Sequence, residues 1–209
     1  MTQRLTKIDE LTRPDHSHLI EEDECHHLGE YTARKGFTFS TTNDLVQNFK
    51  KPVARKNLPE YVHKDRALVS IARAFQDAVN PEFLKQATLV PIPPSKCKTD
   101  AEYDDRMVRL VRAICAKIPN ADIRELIVQA QSLPSFHLGS THSPQLLIDN
   151  WSIDATLVAP RPRLIGLFDD VLTTGAHFRA ATQILSAEFP GVKIVGLFYA
   201  RRVPTATDI

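Results

Sequence analysis

The stretch Leu164-Ile165-Gly166-Leu167-Phe168-Asp169-Asp170-Val171-Leu172-Thr173-Thr174-Gly175-Ala176-His177 decides how this chain is read. Leu164–Phe168 has the apolar run of a strand buried on both faces. It ends in two adjacent carboxylates, and a threonine–glycine turn then leads into a helix predicted from about residue 176 to 188. Open α/β sheets bind ligands outside the carboxyl ends of their strands, so this strand end is a candidate crevice. The unpaired N–H groups and positive dipole end of the helix suit the Thr173–His177 turn to a phosphate. Gly175 permits a positive φ and close approach of an anion, and the threonine hydroxyls add donors. Carboxylates touching that phosphate would repel it. Asp169 and Asp170 are better suited to accept hydrogen bonds from sugar hydroxyls, or to sit near a bridging divalent cation. A ribose 5-phosphate group requires such a combination.

Outward from this window the pattern alternates. Leu68, Ile71, Ala72, Phe75, Ala78 and Val79 recur at helical steps, and Pro81 ends or follows that helix. Leu89–Pro94 reads as a short strand stopped by prolines, and Met107, Val108, Val111, Ile114, Cys115 and Ile118 mark a second helix. Glu125–Gln129 and Val192–Ala200 read as further buried strands, and Gln131–Ser143 as a long polar loop. Strands alternating with helices predict an α/β fold, a parallel sheet flanked by helices. Residues 1–60 look different, with an acidic run at Glu21–Glu24 and a basic cluster of Lys50, Lys51, Arg55 and Lys56. Tyr31–Thr32 and Phe37–Ser40 have strand-like composition, and Asp44–Phe49 reads as a helical turn capped by Asn43 or Asp44. The predicted division is an N-terminal hood lobe with its leading helix over 1–84 and a core over 85–209.

Composition excludes several classes. The 209 residues carry 26 Lys plus Arg against 25 Asp plus Glu, a net charge of +1 that offers no bulk footprint for nucleic acid or a membrane surface. No apolar run is long enough to span a bilayer, and Met1–Pro14 has no apolar signal region. Cys25, Cys97 and Cys115 form neither a disulfide framework nor a CxxC motif. The expectation is a cytoplasmic protein.

The window closely resembles the 5-phosphoribosyl diphosphate (PRPP) motif of type I phosphoribosyltransferases: four apolar residues, two acids, two apolar residues, Thr-Thr-Gly. The resemblance implies a type I phosphoribosyltransferase-like fold in which Asp169 and Asp170 act at the catalytic ribose. Val171, Leu172, Thr173, Thr174, Gly175, Ala176 and His177 would form the 5-phosphate loop. Gly166 and His177 depart from the motif, which usually has a branched apolar residue at the first position and Thr or Ser at the second. Val90-Pro91-Ile92-Pro93-Pro94-Ser95-Lys96 looks like the family's pyrophosphate-loop region, with Ser95 and Lys96 facing the leaving group. That VPxP pattern, Tyr103–Arg106, Ala200-Arg201 and Asn43–Lys51 resemble the competence-protein-F-like (ComF) branch. The zinc ribbon and the Arg-Gly-Phe-Asn-Gln stretch usual in that branch are missing.

The activity implied is transfer of a 5-phosphoribosyl group from PRPP, with Mg²⁺ brought by PRPP and not bound directly by the protein, to a nitrogen nucleophile, releasing pyrophosphate. The acceptor is unidentified, and a homodimer is admitted. His137 and His142 lie where the family carries a lid. The alternative is a non-catalytic PRPP- or nucleotide-binding module serving regulation, DNA uptake or a bacterial defence system. His16, His18, Cys25, His26 and His27 lack structural-zinc spacing, and Cys97 has no base beside it.

Overall fold

The computed structural model describes residues 4–133 and 143–205 of the chain. Its centre is a six-stranded, mostly parallel sheet flanked by helices. In chain order the strands and helices are β1 (Thr6–Lys7), β2 (Glu24–Thr32), α1 (Thr41–Phe49), α2 (Val62–Ala78), α3 (Pro81–Gln86), β3 (Thr88–Pro91) and α4 (Arg106–Ile114). Then come β4 (Asp122–Ile123), β5 (Ile127–Gln129), α5 (Pro144–Asn150), β6 (Trp151–Ile153), β7 (Leu164–Leu172), α6 (Ala176–Glu188) and β8 (Lys193–Val203). The central sheet runs β1-β2-β8-β7-β3-β4, with β1 antiparallel to β2 and the other neighbours parallel. Among the described residues no helix is long and apolar enough to cross a membrane.

Two apolar cores sandwich the sheet. One gathers Val46 and Phe49 of α1, the Ala67–Phe75 face of α2 and the Met107–Ile114 face of α4. The other gathers Leu147 of α5 and Phe178, Ala181 and Leu185 of α6. The helical spacing read from the sequence therefore marks the buried faces of α2 and α4, although α2 begins at Val62 and α4 ends at Ile114.

Several expectations are corrected. The N-terminal segment is not simply a lobe laid over the core. Strand β2 pairs with β8 from Glu24↔Val195 to Thr32↔Val203, so residues before 85 belong to the central sheet. Tyr31 and Thr32 close that strand, whereas Phe37–Phe39 forms a 3-10 turn. The cap of α1 is Ser40, whose Oγ accepts the Asn43 N–H at 3.0 Å; Asn43 lies inside the helix. Pro81 opens α3. Strand β5 is not in the parallel sheet: it pairs antiparallel with β6 in a separate ribbon, and β4 takes the edge beside β3. Strand β7 continues through Asp169, Asp170, Val171 and Leu172 instead of stopping at Phe168.

Candidate active site

The site lies where the sheet changes its direction of winding. From β3 the chain moves outward through α4 to β4, and from β7 it moves the other way through α6 to β8. Strands β3 and β7 are neighbours, with Pro91 opposite Phe168 and the Ile92 N–H bonded to the Phe168 carbonyl at 2.9 Å. The loop carrying Ser95 and Lys96 and the Thr173–Gly175 turn thus leave adjacent strands at the same end of the sheet. A crevice opens at such a switch point because the two crossovers diverge to opposite faces.

Asp169 and Asp170 stand on β7, where successive side chains point to opposite faces. They accordingly serve different partners. Asp169, 6% exposed, accepts the Asp170 N–H at 2.8 Å through Oδ1 and meets His177 Nδ1 at 3.1 Å through Oδ2. The His177 ring lies 5.9 Å from the Trp151 ring at an interplanar angle of 53°. Asp170 faces the other way. Lys50 Nζ reaches its Oδ1 at 2.9 Å, and Arg106 Nε and Nη2 fork onto its Oδ2 at 3.1 and 2.9 Å.

A charge network extends from Asp170. Arg106 also donates through Nη1 to Asp104 Oδ2 at 2.9 Å, and buried Lys64 donates to the same oxygen at 2.6 Å. Burial raises the Asp170 pKa, but the Lys50 and Arg106 cations and their hydrogen bonds outweigh it and hold the carboxyl well below the usual carboxylate range. Asp170 is therefore ionised at neutral pH and its oxygens are taken by cations, which does not fit an inner ligand of a divalent metal. Among the described residues no group of three or more His, Cys, Asp or Glu side chains is placed to hold a metal ion.

The turn after β7 has the backbone of an anion cradle. Gly175 adopts φ +85° as the residue before α6. An added Cβ there would lie 2.9 Å from Leu19 Cδ2, so both conformation and space favour glycine. Thr173 is exposed and Thr174 half-buried. Ala176 and His177 form the first turn of α6, while Val171 and Leu172 sit in β7 opposite Ala200 and Arg201, outside the loop expected to include them.

Ser95 and Lys96 occupy the loop after β3. The Ser95 carbonyl accepts from Leu133 N at 2.8 Å and from Gln129 Nε2 at 2.6 Å, which ties this loop to the β5–β6 ribbon. Lys96 Nζ lies 3.5 Å from Asp100 Oδ2 and 3.7 Å from Glu102 Oε2, long contacts for an ion pair. Pro93, Lys96, Tyr103 and Asp104 help line a small cleft beside this loop. His137 and His142, the expected lid residues, lie outside the described residues.

Sequence reasoning did not place Lys50 and Arg106 at the acidic pair. Lys50 stood in the basic cluster and Arg106 in a stretch of family resemblance, but nothing local says that either reaches Asp170. Arg106 is 64 residues away in sequence. An Asp-x-Arg segment opening an amphipathic helix was the available signal. No protein-family model matches the chain, and no curated protein does.

Proposed function

We propose that this chain binds PRPP as its magnesium salt and transfers the 5-phosphoribosyl group to a nitrogen nucleophile, in the manner of a type I phosphoribosyltransferase. The observation that carries the reading is the pairing of the two loops: a Ser-Lys loop and a Thr-Thr-Gly turn on neighbouring parallel strands at the switch point. The Thr173–Gly175 turn and the α6 N-terminus hold the 5-phosphate, and Ser95 and Lys96 meet the diphosphate. Asp169, on the α6 side, accepts from a ribose hydroxyl. Lys50, whose side chain is 41% exposed, is the member of the Asp170 network best placed to turn toward an incoming anion.

The chemistry is positional and electrostatic. The bond from the anomeric carbon to the diphosphate oxygen breaks, its electron pair leaves with pyrophosphate, and the acceptor lone pair forms the new C–N bond. Positive charge develops on the sugar, so carboxylates beside it stabilise the transition state and no protein nucleophile is needed. The magnesium ion arrives on the diphosphate and belongs to the substrate.

One observation favours a second reading, a non-catalytic PRPP- or nucleotide-binding module. Asp170 is already locked by Lys50 and Arg106, so it serves a ribose only if those bonds rearrange. Pyrophosphate release separates the two. Incubation with PRPP, Mg²⁺ and a panel of nucleobases and amines is expected to liberate pyrophosphate with one acceptor. Tight PRPP binding without release for any acceptor supports the module instead.

A further inference from the structure

The carbonyls of the phosphate turn are held by a segment far away in sequence. His16 Nδ1 is hydrogen bonded to the Thr173 carbonyl, and the His18 N–H donates to the Thr174 carbonyl at 2.9 Å. Leu19 packs against Gly175. The segment is itself fixed, by the His16 N–H on the Arg13 carbonyl at 2.8 Å and by Asp15, which accepts from Arg201 of β8 at 2.8 Å. His16 is fully buried, and its Nε2 has no hydrogen-bond partner among the described residues. A carbonyl only accepts, so the proton of His16 resides on Nδ1.

In a trans peptide the N–H points opposite to the C=O of the same plane. With the Thr173 and Thr174 carbonyls turned toward residues 16–18, the N–H groups of Thr174 and Gly175 point away from that segment. They add to the donors at the start of α6. A bound anion is favoured when such donors are fixed beforehand, because no ordering cost remains.

We propose that His16 is a positioning residue for the phosphate turn: its Nδ1–H, with the His18 N–H, fixes the peptide planes that aim the Thr174 and Gly175 N–H groups at the phosphate of the ligand. The inference rests on the phosphate-site reading above. It gives a function to a fully buried histidine whose other nitrogen has no partner among the described residues. The role uses Nδ1 alone, and the ring fills the space beneath the turn.

The test compares His16→Asn, His16→Gln and His16→Phe in the full chain. Asparagine sets an amide N–H near the Nδ1 position, glutamine sets it near Nε2, and phenylalanine keeps the ring without a donor. Calorimetric titrations use inorganic phosphate and Mg²⁺–PRPP, well below each variant's unfolding midpoint. His16→Asn is expected to bind both probes within about threefold of the natural chain, whereas Gln and Phe weaken them about tenfold or more. A folded Phe variant that binds like the natural chain overturns the inference. If Phe does not fold, equal affinities for Asn and Gln overturn it. Failure of the natural chain itself to bind either probe removes the phosphate-site reading, a distinguishable result.

Discussion

The acidic residue with the stronger structural role is Asp170, since its carboxylate joins α1, β7 and the start of α4 through Lys50 and Arg106. Removing its charge leaves the mostly buried Arg106 guanidinium with Asp104 in place of two acidic partners. Asp170→Asn is expected to cost about 2–3 kcal/mol, at or below the low end for a broken buried pair because Arg106 retains 19% side-chain exposure. Urea unfolding followed by circular dichroism checks this. Asp169→Asn leaves that network intact, so it should lower PRPP affinity more than stability. The pH dependence belongs to other side chains. Burial pushes the pKa of His16 and His27 below the ordinary histidine value; Arg201 lowers both further, while Asp15 and the Thr173 carbonyl act against this at His16. A lowered folded pKa means that the unfolded chain takes up protons first on acidification. Stability is therefore full above about pH 6.5 and falls as pH drops below it, and His16→Asn should make that fall shallower. A thermal midpoint unchanged across this range would contradict the burial of both rings. The adjacent acids were legible in sequence as a candidate site. Their division between two faces was not, because it depends on β7 running two residues beyond them.

Glycine at position 166 has a reason at the scale of packed elements. A Cβ there would lie 3.0 Å from Phe83 Cε1 and 3.2 Å from Leu89 Cδ2, so α3 fills the volume that a branched side chain takes in the resembled motif. Gly166→Val should destabilise by about 2 kcal/mol through overpacking. Combining it with Phe83→Ala should give less than the sum of the two single costs, measured as a double-mutant cycle. The sequence carried the helices well, since apolar residues at three- and four-residue steps follow from one face being buried. Strand partners were harder. Ile127–Gln129 is apolar like the parallel strands, yet β5 leaves the sheet after Arg124, which is held by Asp122 and by the Leu157 and Pro160 carbonyls. Periodicity reports burial and says nothing of which strand lies alongside.

For the whole molecule, the first residues complete the sheet and also support the turn after β7. Strand β2 pairs with the length of β8, and residues 16–19 rest against Thr173–Gly175. Deleting residues 1–33 should uncover β8 and abolish cooperative thermal unfolding, whereas a self-sufficient core would still melt in one transition. The sequence predicts a hood lobe here and not a long sheet strand because β2 contains His26, His27, Gly29 and Glu30, which dilute the strand signal while backbone pairing persists. The near-neutral net charge disfavoured a bulk polyanion surface, but charge at the site comes from a few placed groups that composition does not count. The central claim is that the end of β7 is a phosphoribosyl diphosphate site. Its most direct test is calorimetric titration of the natural chain and Gly175→Ala with PRPP in the presence of Mg²⁺. The account predicts one site with a dissociation constant below about 1 mM for the natural chain and at least about tenfold weaker binding for the folded variant, whose added methyl group meets both Leu19 and a positive φ. No heat of binding from the folded natural chain, or equal affinity in the two proteins, would contradict it.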